Sequence, residues 1–251
     1  MIKKLLTTLI ILNISIVIFS QGTKEESSEY IASTSWTAAY AYVGGLDNVI
    51  NIAPANLVHP PEYEILPSDI KKIQNSKAFI YAGYEVMMDT LSKNLIDENI
   101  KTQIMTINSL NNIIKQANVI SDKFNTKEKS DFRVQEIKDL FTFAKIKIKE
   151  KSIDKKNVYV HFHQVAFAKS LGLNVVGSFG PNSITAKNIE DISKINNVLI
   201  IDNIHNQLAE PLLEVNENAI KIVWTNFPNN IEEKALYNML KDNIESLLRN
   251  F

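Results

Sequence analysis

Between residues 127 and 151 the chain runs without a Gly or a Pro, and this one stretch sets limits on everything around it. Val134, Ile137, Leu140, Phe141, Ala144 and Ile148 recur there at helical spacing among many charges, and Phe143 and Ile146 widen the apolar stripe. The spacing predicts one helix, about 35 Å long at a rise of 1.5 Å per residue. On either side, short apolar runs of β-formers alternate with helical patterns. Such alternation is the mark of parallel βα units. The expected fold class is therefore α/β, with two α/β lobes of mainly parallel sheet joined by one long backbone helix. The lobes fall at 21–126 and 155–251, and the linking helix at 127–154. Two lobes across a strut imply a cleft between them, a common place for ligands.

In the first lobe strands are expected at 30–33, 49–52, 78–81 and 102–107. Helices are expected at 36–43, with Ser35 as cap, at 68–74 started by Pro67, and at 86–95. A loop holding Pro54, His59, Pro60 and Pro61 separates the second strand from its helix, because each Pro restricts the residue before it. In the second lobe the strands fall at 158–162, 175–179, 198–202 and 220–224. Its helices fall at 165–171, 186–195 with Thr185 as cap, 207–215 and 232–248.

Composition narrows the function. The net charge of −1 leaves no electrostatic footprint for nucleic acid, and the absence of Cys removes disulfides, thiolate metal sites and Cys nucleophiles together. Residues 1–20 carry Lys3 and Lys4, then a mostly apolar run at 5–19, and read as a secretory signal peptide cut after Ser20. The run is short for a bilayer, which needs about 20 apolar residues. The mature protein is expected in the periplasm or secreted.

The chain has four histidines, and each follows an apolar run at or near a strand-to-helix junction. Such junctions lie at the carboxyl ends of parallel strands, where open α/β folds keep their ligands. Neutral imidazole is a common metal ligand and suits zinc. His161 and His163, two apart, share a face if the strand continues that far. Either one is a candidate, as are His59 and His205. Glu62, Glu64 and Asp202 are candidate ligands or orienting partners for the imidazoles, and carboxylates would shift preference toward manganese. No HExxH marks a catalytic zinc helix, and neither Gly44-Gly45 nor Gly177-Ser178-Phe179-Gly180 makes a nucleotide-binding loop. Trp36, Tyr81, Tyr84 and Trp224 read as core or hinge aromatics, with Trp36 and Tyr84 the candidates for lining the cleft.

Ala53-Pro54-Ala55, then His59-Pro60-Pro61-Glu62-Tyr63-Glu64, then Pro67-Ser68-Asp69-Ile70, resembles the metal-binding solute receptors of ABC importers, of the zinc and manganese type (cluster A-I). Tyr81-Ala82-Gly83-Tyr84-Glu85 and His163-Gln164-Val165-Ala166-Phe167 extend the likeness into both lobes. The resemblance implies a metal held between two lobes whose relative motion the backbone helix restrains. It maps one ligand onto His59 and another onto His163. The chain departs from the pattern by lacking the Asp-Pro-His segment near the middle helix. The pattern's final Asp falls around Asn226 or Phe227. Either His161 and His205 rebuild the site, or this divergent branch binds something else.

The leading expectation is a monomeric, non-catalytic binding protein that captures a divalent transition metal and presents it to an ABC permease. Zinc is the default ion and manganese the alternative. A second reading keeps the fold and changes the cargo to a metal chelate or other organic ligand, with Tyr84, Trp36 and Trp224 lining a wider cleft. A third, an extracellular metalloenzyme, needs a general base that the sequence does not place beside the histidines.

Overall fold

The computed structural model describes residues 30–91 and 95–251, so the expected signal segment at 1–20 lies outside the described residues. The first lobe runs β1 (Tyr30–Ala32), α1 (Ser35–Val43), β2 (Val49–Asn51), α2 (Pro67–Gln74), β3 (Ala78–Tyr81), α3 (Met87–Leu91) and β4 (Lys101–Gln103). Its four strands pair in parallel in the order β2-β1-β3-β4. Two helices follow, α4 (Leu110–Phe124) and the long α5 (Lys127–Glu150). The second lobe runs β5 (Asn157–His161), α6 (Val165–Ser170), β6 (Asn174–Phe179), α7 (Ala186–Ser193), β7 (Val198–Asn203), α8 (Glu210–Glu214), β8 (Ile220–Trp224) and α9 (Ala235–Arg249). Its sheet has the parallel order β6-β5-β7-β8, the same arrangement as the first. Among the described residues no helix is long and apolar enough to cross a membrane.

The six apolar residues of α5 that recur at helical spacing are all buried, whereas Phe143 and Ile146 lie on its exposed flank. That buried stripe belongs to a core continuous through both lobes. It joins Tyr40, Val43 and Leu46 of the first lobe to Val160, Phe167, Trp224 and Leu240 of the second. Smaller clusters cover the outer faces of the two sheets, around Phe79 and Ile73 in the first and around Tyr159 and Ile200 in the second. A shared core of this kind resists hinge opening, because separating the lobes would expose apolar area at roughly 25 cal/mol per Å².

Several details differ from the sequence reading. Helix α4, capped by the Ser109 side chain, occupies a stretch to which no element is assigned above. The strand expected at 102–107 ends at Gln103. Beyond it, the carbonyls of Met105 and Ile107 accept from the Asn112 amide and the Tyr40 hydroxyl instead of from a neighbouring strand. Thr34, not Ser35, caps α1, in a reciprocal capping box with Thr37. The expected helix at 86–95 is Met87–Leu91 among the described residues, and 92–94 lie outside them.

Candidate functional site

Both sheets point their carboxyl edges into one cavity of about 430 Å³. Every strand contributes through the loop that follows it. Thr34, Ser35 and Trp36 come after β1, His59, Pro60 and Pro61 after β2, Tyr84 after β3, and Thr106 after β4. From the other side come His163 after β5, Pro181 after β6, Asn203, His205 and Asn206 at the end of β7 and beyond it, and Asn226 and Phe227 after β8. This follows from topology, because the reversal of strand order at β1/β3 and at β5/β7 leaves a crevice outside each sheet.

Three of the four histidines therefore line one cavity: His59 from the first lobe, and His163 and His205 from the second. His161 does not line it. Strand β5 ends at His161, and a tight 3₁₀ turn, Phe162–Gln164, then rotates the chain, so the two-residue periodicity that would put both imidazoles on one face no longer applies. His161 is fully buried, with its ring 5.4 Å from that of His163. Its Nδ1 accepts the backbone N–H of His163 at 3.3 Å, so His161 fixes the turn that presents His163. Behind it, a Cβ on Gly180 would come within 2.6 Å of His161 Nε2, which leaves Gly as the residue that fits there, at φ of 71°.

The carboxylates named from the sequence lie elsewhere. Glu64 is exposed and lines no part of the cavity. Asp202 is fully buried and accepts backbone N–H groups from Asn203, Leu208 and Ala209, at 2.9 to 3.2 Å. It closes the loop that carries His205, and Lys221 stands 4.0 Å from it. Glu85 has the matching role in the first lobe, accepting from Ser33 Oγ and from the N–H groups of Ala82 and Gly83. Of the aromatics, Trp36 and Tyr84 line the cavity, whereas Trp224 is buried in the core at 4.9 Å from Phe167. Tyr84 donates to or accepts from Thr106 Oγ1 at 2.8 Å.

Phe227 is the wall that the sequence reading did not assign. The His205 ring stacks on it at 3.8 Å between centroids, nearly parallel, and Trp36 reaches it from the other lobe at 5.8 Å. The floor beneath is tied across the lobes. Ser35 Oγ donates to the Pro228 carbonyl at 2.6 Å, and the Asn108 amide donates to the Asn226 carbonyl at 2.7 Å. Position alone would have flagged these residues, since each follows the carboxyl end of a strand or lies on the connection leaving β4.

Burial favours the neutral form of His161, His163 and His205. Burial, and then the neighbouring His59, push His205 down to about 4. Burial also lowers His163. His161 is pushed down to about 4 by burial and then by His163, against an opposing pull from Asp202. A neutral imidazole keeps a lone pair for coordination. The His205 Nε2 is buried without a hydrogen-bond partner, a state that a bound cation would relieve. Among the described residues, however, no three His, Asp or Glu side chains are close enough to hold one ion as they stand.

Neither a protein-family model nor a curated protein sequence matches the chain. Solved structures do match. The solute-binding protein FpvC from Pseudomonas aeruginosa, in complex with Mn2+, superposes with a TM-score of 0.69 at 14% identity, over 88% of this chain and 98% of that one. The Cd-bound periplasmic metal-binding protein from Candidatus Liberibacter asiaticus gives 0.62 at 14% identity, over 88% and 99%. The laminin-binding protein of Streptococcus agalactiae, described as bifunctional with adhesin and metal-transporting activity, gives 0.66 at 14% identity, over 88% and 98%. The chain has the two-lobed α/β fold of the metal-binding solute receptors.

Proposed function

We propose that the protein is an exported, monomeric solute-binding protein that captures a divalent transition metal between its lobes and hands it to an ABC permease. One observation carries the reading: imidazoles from opposite lobes, His59 on one side and His163 and His205 on the other, line a single cavity. The proposed ligands are these three, with His161 as the positioning residue behind His163 and Asp202 as the one behind the His205 loop. Zinc is the proposed ion, because an all-imidazole set favours it over manganese, which prefers oxygen donors. The neighbours in fold that carry Ni2+, Mn2+ and Cd2+ support a divalent metal in general. A binding role fits the tied floor and the shared core, which restrain the lobes without a step of chemistry.

The test is elemental analysis of the purified protein, followed by calorimetric titration with zinc and manganese salts. A single site that takes zinc more tightly than manganese, and is lost in His59→Ala, is the expected result. Binding that survives His59→Ala unchanged would remove the proposed site.

A further inference from the structure

The donors lining the cavity are imidazoles, hydroxyls and amides. No Asp, Glu, Lys or Arg is among the lining residues, and the buried carboxylates nearest to the loops, Asp202 and Glu85, are occupied with backbone N–H groups. A bare divalent ion bound there would bring its full +2 charge beside a lining that holds no carboxylate to neutralise it. Taking an uncompensated charge out of water is costly, by several kcal/mol per ion even after relaxation. The N-terminus of α1 opens onto the same space through Thr34, Ser35 and Trp36. That end of a helix favours negative charge and disfavours a lone cation.

Size argues the same way. An ion coordinated by imidazole nitrogens at about 2.0–2.1 Å leaves room only for a water or two. A cavity of about 430 Å³ falls in the range that holds small organic ligands, roughly 300–1,000 Å³. A polar group is also waiting. Asn226 is among the lining residues, is 4% exposed, and its buried amide oxygen has no hydrogen-bond partner. Its amide presents the oxygen or, rotated, the N–H donors to a guest.

We infer that the cargo of this cleft is a divalent metal carrying its own oxygen-donor anion, a small polycarboxylate chelate, with the imidazoles completing the metal's coordination. This rests on the metal-binding reading above and names the form in which the metal is taken. The anion neutralises the charge that the protein leaves uncompensated. It fills the space beside Asn226 and the α1 N-terminus, while the face of the complex left open meets His59, His163 and His205.

The experiment is calorimetric titration of the purified protein with zinc chloride and with zinc premixed with citrate, together with retention of labelled citrate on the protein. The expected result is at least tenfold tighter zinc binding with citrate, and citrate retained one-to-one only when zinc is present. If citrate merely competes, weakening zinc in proportion to the metal it sequesters, the inference is overturned while the metal-binding reading stands. If zinc binds under neither condition, both fall. Asn226→Asp gives an independent arm, because it puts a carboxylate into a lining that holds none. It should bind zinc chloride at least tenfold tighter than the parent and lose the advantage of citrate. An Asn226→Asp protein that folds, as judged by its thermal transition, yet keeps the citrate preference overturns the inference. If it fails to fold, the parent titrations decide.

Discussion

The two lobes share one strand order and meet at one cavity, yet they equip it differently. The first lobe brings a single imidazole, His59, on an exposed proline-bearing loop, with hydroxyls from Thr34, Ser35 and Thr106 around it. The second brings two imidazoles, His163 and His205, with amides from Asn203, Asn206 and Asn226, and a third imidazole buried behind. Each has a buried carboxylate pinning its loops, Glu85 in one and Asp202 in the other. Topology fixes where a ligand goes in both halves, and loop residues decide what it meets there.

The largest effect should come from the lobe with less to spare. His59→Ala removes the only first-lobe imidazole at the cavity, and zinc affinity should fall by at least ~100-fold, more than loss of an orienting partner usually costs. Calorimetry on His59→Ala beside His163→Ala tests the asymmetry; equal losses would mean that the lobes contribute alike. Next come the paired carboxylates. Asp202→Asn and Glu85→Gln should each destabilise the fold by ~2 to 3 kcal/mol in urea unfolding, since each weakens several hydrogen bonds to a buried charge. Only Asp202→Asn should also weaken zinc, through the His205 loop. A zinc loss in Glu85→Gln of the same size would erase the distinction between the two pins.

The pH dependence separates the lobes again. His161 and His205 are pushed down to about 4, below the unfolded value of 6.5, so the unfolded chain binds more protons between those limits. Stability from these groups is full above pH 6.5 and is lost as pH falls toward 4. His161 alone should cost about 2 kcal/mol on going from pH 7.5 to 5. Urea unfolding at the two pH values measures it, and His161→Asn should shrink the difference by about that amount, leaving the part due to His205. The smallest effect concerns the tie between the lobes. Ser35→Ala leaves the Pro228 carbonyl without its donor and should cost about 1 kcal/mol. A larger loss, with a broadened thermal transition, would show that the floor carries more of the lobe contact than the shared core does.

Much of this architecture is legible along the chain. The strand at Ala78–Tyr81 and the one at Ile220–Trp224 stand where β-forming runs bounded by polar residues put them. Helix α5 buries the residues its periodicity selects. Helix α4 is legible too, from Ile113, Ala117 and Ile120 behind the Ser109 cap, although the reading assigns it no element. His59 and His205 were marked by their place after strands, and the cavity does include them. The turn that separates His161 from His163 is not legible, nor are the contacts that Phe227 makes with His205 and Trp36 or the tie from Ser35 to Pro228, although the positions of these residues after strands are.

Burial periodicity is a property of neighbours along the chain, so fold class, helix extent and most strands follow from local order. Which imidazole faces the cleft depends on where a strand stops. Between His161 and His163 that is set by one hydrogen bond and by Gly180 on the adjoining connection, with Phe179 packed against the ring. The cavity itself needs Trp36 to meet Phe227 and Ser35 to meet Pro228, residues nearly two hundred positions apart. Contacts between such distant residues form only when the whole core closes, and no pattern of neighbours encodes them.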